Sequence, residues 1–160
     1  ALQRVLSESP DDVWLIIENS AGMGAHIGAS FQELGRMVEA IGSTQVMICL
    51  DTQHTLAAGY NIVDGAGIEE ALDEFDKEIG LERLVAVHAN DSKMELGSGV
   101  DRHENIGEGR IGVKGFQTIM GHPAFRDVPF VLEVPGFDKK GPDKENVDRL
   151  KAIRSGLGIA

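Results

Sequence analysis

Basic charge is scarce in this chain: 15 lysines and arginines stand against 26 aspartates and glutamates, a formal net charge of −11. That balance argues against the continuous basic stripe of a protein that holds nucleic acid chiefly by neutralising phosphates. Long apolar runs are missing as well. None approaches the roughly 18 residues that mark a membrane span, and the amino end has no basic segment leading into an apolar one. No membrane partner is expected, and the cytoplasm is the expected compartment. Cysteine is reduced to Cys49, which cannot close a disulfide within the chain. Set in an apolar strand, it reads as a small buried hydrophobe.

What is present is a pattern of strand endings. Val13 to Ile17 runs into Glu18, Val46 to Leu50 into Asp51, Leu84 to Val87 into His88, and Phe130 to Leu132 into Glu133. Each apolar run of strand length thus ends in a residue type that binds metal. In a parallel barrel all strand C-termini open on one face, so four such side chains converge although they lie far apart in sequence. Oxygen and imidazole donors without thiolate suit zinc or manganese in a catalytic site. His54 with Asp101-x-His103 supplies a further compact set of three. Glu18, Asp51, Asp101 and Glu133 carry part of the acidity, and three divalent cations would bring the formal charge to about −5. Acidity alone therefore does not exclude a phosphate-bearing substrate.

The segments between the strands predict helices. Ser30-Phe31-Gln32-Glu33 has the form of a capping box, followed by an apolar stripe of Phe31, Leu34, Val38 and Ile41 and a terminating Gly42. A longer loop after Asp51 leads to a helix over Ile68 to Ile79. The connection from Ala89 to about Val113 is long, with a short helix at Phe116 to Met120. Pro142 suits a first helical turn, with Val147, Leu150 and Ile153 as the buried side and Gly156 as the stop. Residues 1–160 are expected to form an α/β fold of four strand–helix units, about half of a parallel β/α barrel of TIM type. Ala1 to Ser9 reads as the tail of a preceding helix, which points to a carboxy-terminal half-domain with open edge strands. An open four-stranded parallel sheet is the alternative architecture.

Several motifs in register then carry a resemblance. Ile17-Glu18-Asn19-Ser20-Ala21-Gly22, Leu50-Asp51-Thr52-Gln53-His54 followed by Ala57-Ala58-Gly59-Tyr60, His88-Ala89-Asn90-Asp91-Ser92-Lys93, Val100-Asp101-Arg102-His103-Glu104 through Gly109, and Leu132-Glu133-Val134-Pro135 closely resemble endonuclease IV, the zinc-dependent family of apurinic/apyrimidinic endonucleases. The resemblance covers nearly the whole chain but only the second half of that family's barrel. It implies up to three zinc ions in the full barrel, DNA containing abasic sites as partner, and hydrolysis of the phosphodiester 5′ to the lesion in base-excision repair. It implies that Glu18 bridges two ions, that Asp51, His88 and Glu133 complete the second, and that His54, Asp101 and His103 hold the third. Glu18 and Glu133 fall at the chemistry. Two histidines of the first ion come from the absent amino-terminal half, and Gln53 stands where the family commonly has Cys.

Plainer roles compete at each position. Strand-end acids often cap the next helix, His54 alone suits a loop, and His26 and His122 read as structural. Asn90 and Asp91 are expected to fix the loop beyond His88 or to support the ligands. Lys93 and Arg102 are candidates for phosphate contact, whereas Gly107-x-Gly109 serves tight turning. Two other functions are retained: a metal-dependent sugar isomerase or epimerase of the same barrel type, and a catalytically silent half-barrel that self-associates or awaits its amino-terminal half.

Overall fold

The computed structural model describes residues 1–159. Strands β1 (Leu15–Glu18), β2 (Val46–Asp51), β3 (Leu84–His88) and β6 (Phe130–Val131) form a parallel sheet in the order β1-β2-β3-β6, and β4 (Asp91–Ser92) pairs with β5 (His103–Glu104) in a separate antiparallel ribbon. Helices α1 (Leu2–Ser7), α2 (Phe31–Ile41), α3 (Thr52–Ala57), α4 (Gly65–Glu78), α5 (Gly112–Gly121) and α6 (Lys144–Gly156) complete the chain. The result is the expected partial barrel.

Alternation along the strands explains its two faces. Val46, Ile48 and Leu50 of β2 and Val87 of β3 are buried in the core that also takes Phe31, Leu34, Phe75, Phe116 and Ile119 from the helices. The other face carries Glu18, Cys49, Asp51 and His88, with Ile16 46% and Val131 49% exposed. Strands of a parallel sheet are apolar on both sides because both are ordinarily covered. Here the helical side is covered throughout and the other only in part, over Cys49 and Asp51.

Local chemistry sets the helix ends. Ser30 Oγ accepts the Glu33 N–H at 3.2 Å, and Gly42 closes α2 with φ of 69°. Glu33 reaches back to the N–H groups of Gly28 and Ala29 rather than to that of Ser30, a shifted capping box. Phe31 then stacks on Tyr60 at 4.0 Å and meets Phe75 edge-on at 5.2 Å. A side chain at Gly35 would strike the Glu78 carbonyl at 2.2 Å, so the glycine permits the close crossing of α2 and α4.

Some boundaries differ from those the sequence predicts. β1 starts at Leu15 rather than Val13, and β6 stops at Val131, leaving Glu133 beyond the strand. The loop after Asp51 opens with α3, because the Asp51 carboxylate caps the His54 N–H at 2.8 Å. The short helix at Phe116 to Met120 extends over Gly112–Gly121, its ends concealed by glycines of poor helix propensity. Pro142 lies outside α6, since Asp143 is the residue that accepts the Asn146 N–H. Val147 is 37% exposed, and Asn146 is buried in its stead.

Candidate metal centre

Strand register brings the first candidate ligands together. Asp51 lies opposite His88 across β2 and β3, and Glu18 lies opposite Cys49, two residues before Asp51 on the same face. Glu133 arrives from beyond β6. Donor atoms of Glu18, Asp51, His88 and Glu133 all lie within 4.8 Å of one another, and so do donors of Asp51, His54 and His103. Asp51 belongs to both groups. Asp101 joins the second through its two oxygens, 3.5 Å from His54 Nε2 and 3.4 Å from His103 Nε2. The seven side chains expected from the sequence as metal ligands thus meet at one mouth.

The imidazoles are oriented from behind. His54 Nδ1 lies 2.9 Å from the Asn19 carbonyl and 3.2 Å from Glu18 Oε1. His103 Nδ1 lies 3.4 Å from the Glu133 carbonyl. With Nδ1–H donating in each, Nε2 presents its lone pair to the cluster. His88 Nδ1 stands 3.2 Å from both Glu18 Oε1 and Glu133 Oε2. His54 Nε2, His88 Nδ1 and His103 Nε2 are buried and have no hydrogen-bond partner among the described residues. Buried polar atoms are normally satisfied. Three that are not, each aimed at carboxylates, fit a cation with oxygen and nitrogen ligands.

Electrostatics agree. Burial raises the Asp51 carboxyl, opposed by the charges of His54 and His103. Burial would lower His54, but the bond to Glu18 and the charges of Asp51 and Asp101 push it up to about 9. Burial acts to raise Glu18, yet its contacts with His54 and His88 hold it below the ordinary carboxylate range. Without another cation nearby, the acidic cluster draws a proton onto an imidazole.

A second layer of buried side chains aligns the candidate ligands. Asn19 Oδ1 accepts the Asp51 N–H at 2.7 Å, and its Nδ2 donates to Thr55 Oγ1 at 3.1 Å. Asn90 Nδ2 donates to Asp51 Oδ2 at 2.6 Å, while its Oδ1 accepts the Glu133 N–H at 2.9 Å. Thr52 Oγ1 donates to the Asn90 carbonyl at 2.7 Å. Asn90 stood out in the sequence, whereas Asn19, Thr52 and Thr55 did not. Their one signal was adjacency to a ligand at a strand end.

The remaining candidates are more peripheral. Lys93 pairs with Glu104 at 3.8 Å, and exposed Arg102 donates to the Asp101 carbonyl at 2.7 Å; both flank the loop of Asp101 and His103. His26 is exposed, and His122 accepts the Ala124 N–H and pairs with Glu69. An apolar groove of about 370 Å³ beside Phe130, Leu132 and Leu150 includes none of the clustered ligands. No helix among the described residues is long and apolar enough to cross a membrane.

Known proteins share this arrangement of elements. The family described as xylose isomerase-like TIM barrel matches residues 1–155. A "Probable endonuclease 4" of Halothermothrix orenii is 43% identical over 152 residues, covering 94% of this chain and 55% of that protein. Another, of Methanoculleus marisnigri, is 41% identical over 155 residues, covering 96% and 55%. The crystal structure of endonuclease IV from Thermus thermophilus matches with a TM-score of 0.78 at 35% identity, over 98% of this chain and 54% of that one. A D-tagatose 3-epimerase-like protein reaches a TM-score of 0.68 at 20% identity, over 98% and 53%, a likeness of fold alone. The chain spans about half the length of the curated relatives it matches.

Proposed function

Since the chain belongs to the xylose isomerase-like TIM-barrel family, we propose that it supplies most of the zinc ligands of an endonuclease that cleaves DNA 5′ to abasic sites in base-excision repair, acting as the carboxy-terminal half of a complete barrel. The observation that carries this reading is the set of three buried imidazole nitrogens that lack a hydrogen-bond partner and face carboxylates. A sugar epimerase of the same fold has less use for the additional trio of His54, Asp101 and His103 beside the first cluster. The relatives above 40% identity are named as endonucleases, which favours the nuclease.

Glu18, Asp51, His88 and Glu133 would hold one zinc ion, with Glu18 shared toward a neighbouring ion, and His54, Asp101 and His103 would hold another; manganese suits the same donors. When bound, such ions acidify a water for attack on phosphorus and balance charge on the leaving oxygen. Glu18 and Glu133, partly exposed at the mouth, face the reacting phosphate. Lys93 and Arg102 flank it at the rim and bind the flanking DNA phosphates.

The test is incision of a duplex bearing one abasic site, with ketose turnover measured alongside. The zinc-loaded chain alone is expected to incise poorly, and its combination with the amino-terminal half to incise in a chelator-sensitive manner. Ketose epimerisation without incision by the combination would sink the nuclease reading. Full activity of the pure chain would sink the half-barrel reading.

A further inference from the structure

The loop bearing Asp101 and His103 has little regular structure of its own. It leaves the sheet after His88, forms only the two-residue pairing of β4 with β5, and returns to regular structure at α5. Such a loop would ordinarily place its ligands loosely, and a metal site displaced by about 1 Å loses much of its affinity. Something must hold it.

Asp91 sits at its root and is fully buried. Oδ1 accepts the N–H of Ser92 at 2.8 Å and of Ile111 at 2.9 Å, Oδ2 accepts those of Gly107 at 2.9 Å and Gly109 at 3.0 Å, and the Gly112 N–H is shared between both oxygens at 3.3 and 3.1 Å. One carboxylate thus gathers five main-chain amides, four of them 16 to 21 residues away. Hydrogen bonds to an ionised acceptor are about twice as strong as neutral ones. Burial lifts this carboxyl above its ordinary range, against the pull of the amides.

The close approach is written into the chain. A side chain at Gly109 would fall 2.4 Å from Asp91 Oδ1 and 2.4 Å from the Ser92 carbonyl. Residue 109 must therefore be glycine for the returning limb to reach the carboxylate. On the outgoing limb, buried Gln53 donates through Nε2 to the Val100 carbonyl at 3.0 Å, immediately before Asp101, and lies 3.3 Å from Ser92 Oγ. Ser92 is the β-partner of His103. Both limbs of the ligand loop are thus pinned to the same buried point.

We propose that Asp91 is a positioning residue for the ion held by His54, Asp101 and His103, fixing the ligand loop through its main-chain amides without touching the ion. This rests on the reading of those three side chains as a metal site. Asp91 contributes nothing comparable to Glu18, Asp51, His88 and Glu133, whose places are set by the sheet and by Asn90. Its loss is therefore selective for one of the two ions.

The experiment titrates cobalt(II) and zinc into the metal-free protein, reading the cobalt absorption bands and competition with a chromophoric chelator. Asp91→Asn keeps the shape but turns an amide group toward two or more N–H donors. Gly109→Ala keeps the charge and pushes on the same contact from the loop side. Both are expected to weaken one ion by about 10–100-fold, to leave the other within about twofold, and to speed hydrogen exchange at Gly107, Gly109 and Gly112. His103→Ala marks which absorption band belongs to the affected ion. Wild-type affinity for both ions in either folded variant overturns the proposal, as does equal weakening of both, which would make Asp91 merely structural. If His103→Ala and the wild type bind identically, the metal reading of the trio has failed, and the proposal falls with it.

Discussion

Asn90 donates from Nδ2 to Asp51 Oδ2 at 2.6 Å and at the same time accepts the main-chain N–H of Glu133 at 2.9 Å. One buried amide thereby couples a carboxylate at the end of β2 to the backbone of a second acidic residue beyond β6. Neither acid is free to move without breaking that tie.

Asn90→Ala is expected to loosen both ligands. Metal affinity of the cluster of Glu18, Asp51, His88 and Glu133 should fall about 10–100-fold, measured by competition with a chelator of known affinity. The Asp51 oxygen left unpartnered in the interior should also cost about 1–3 kcal/mol of stability in urea denaturation. Unchanged affinity in a folded variant would show that the strands alone place these acids.

A pH dependence follows from His54. Its folded value of about 9 lies above its ordinary 6.5. In the metal-free protein the stabilisation from its charged form is fully present below pH 6.5 and is lost as pH rises through about 9. Metal and proton compete for the same nitrogen lone pair, so loading the metal-free protein at about pH 7.5 should release about one proton from this group. Calorimetry in buffers of different ionisation enthalpy measures that release. Buffer-independent heats would contradict it.

Cys49 should be chemically silent. It is 4% exposed, and burial, reinforced by the charge of Glu18, pushes its thiol up to about 12. Since the thiolate is the reactive species, an alkylating reagent at neutral pH should label the protein only as it unfolds, and removing metal with a chelator should not open the site. Rapid labelling of the native protein would place Cys49 outside the sheet.

Much of this was legible in the sequence because a parallel sheet converts sequence order into spatial order. Strand ends at Glu18, Asp51 and His88 could be read from apolar runs stopping at a polar residue, and register then placed them side by side. The Ser30 cap and the Gly42 stop were legible for the same reason, being local. The helix α3 was concealed because Asp51 serves as ligand candidate and cap at once, and a single residue type does not announce two roles. The buried amides of Asn19, Asn90 and Gln53 and the carboxylate of Asp91 act across 16 to 47 residues of chain. No periodicity records such distances. The motif resemblance supplied the expected grouping of ligands, and the imidazole nitrogens without a hydrogen-bond partner are a physical observation in keeping with it.

An anomalous difference map at the zinc edge, from crystals of the zinc-loaded protein with zinc content determined on the same sample, decides whether these side chains grip cations together. One peak is expected among Glu18, Asp51, His88 and Glu133 and another among His54, Asp101 and His103. A map without peaks at either cluster, from protein that has taken up zinc elsewhere, would contradict a shared metal centre.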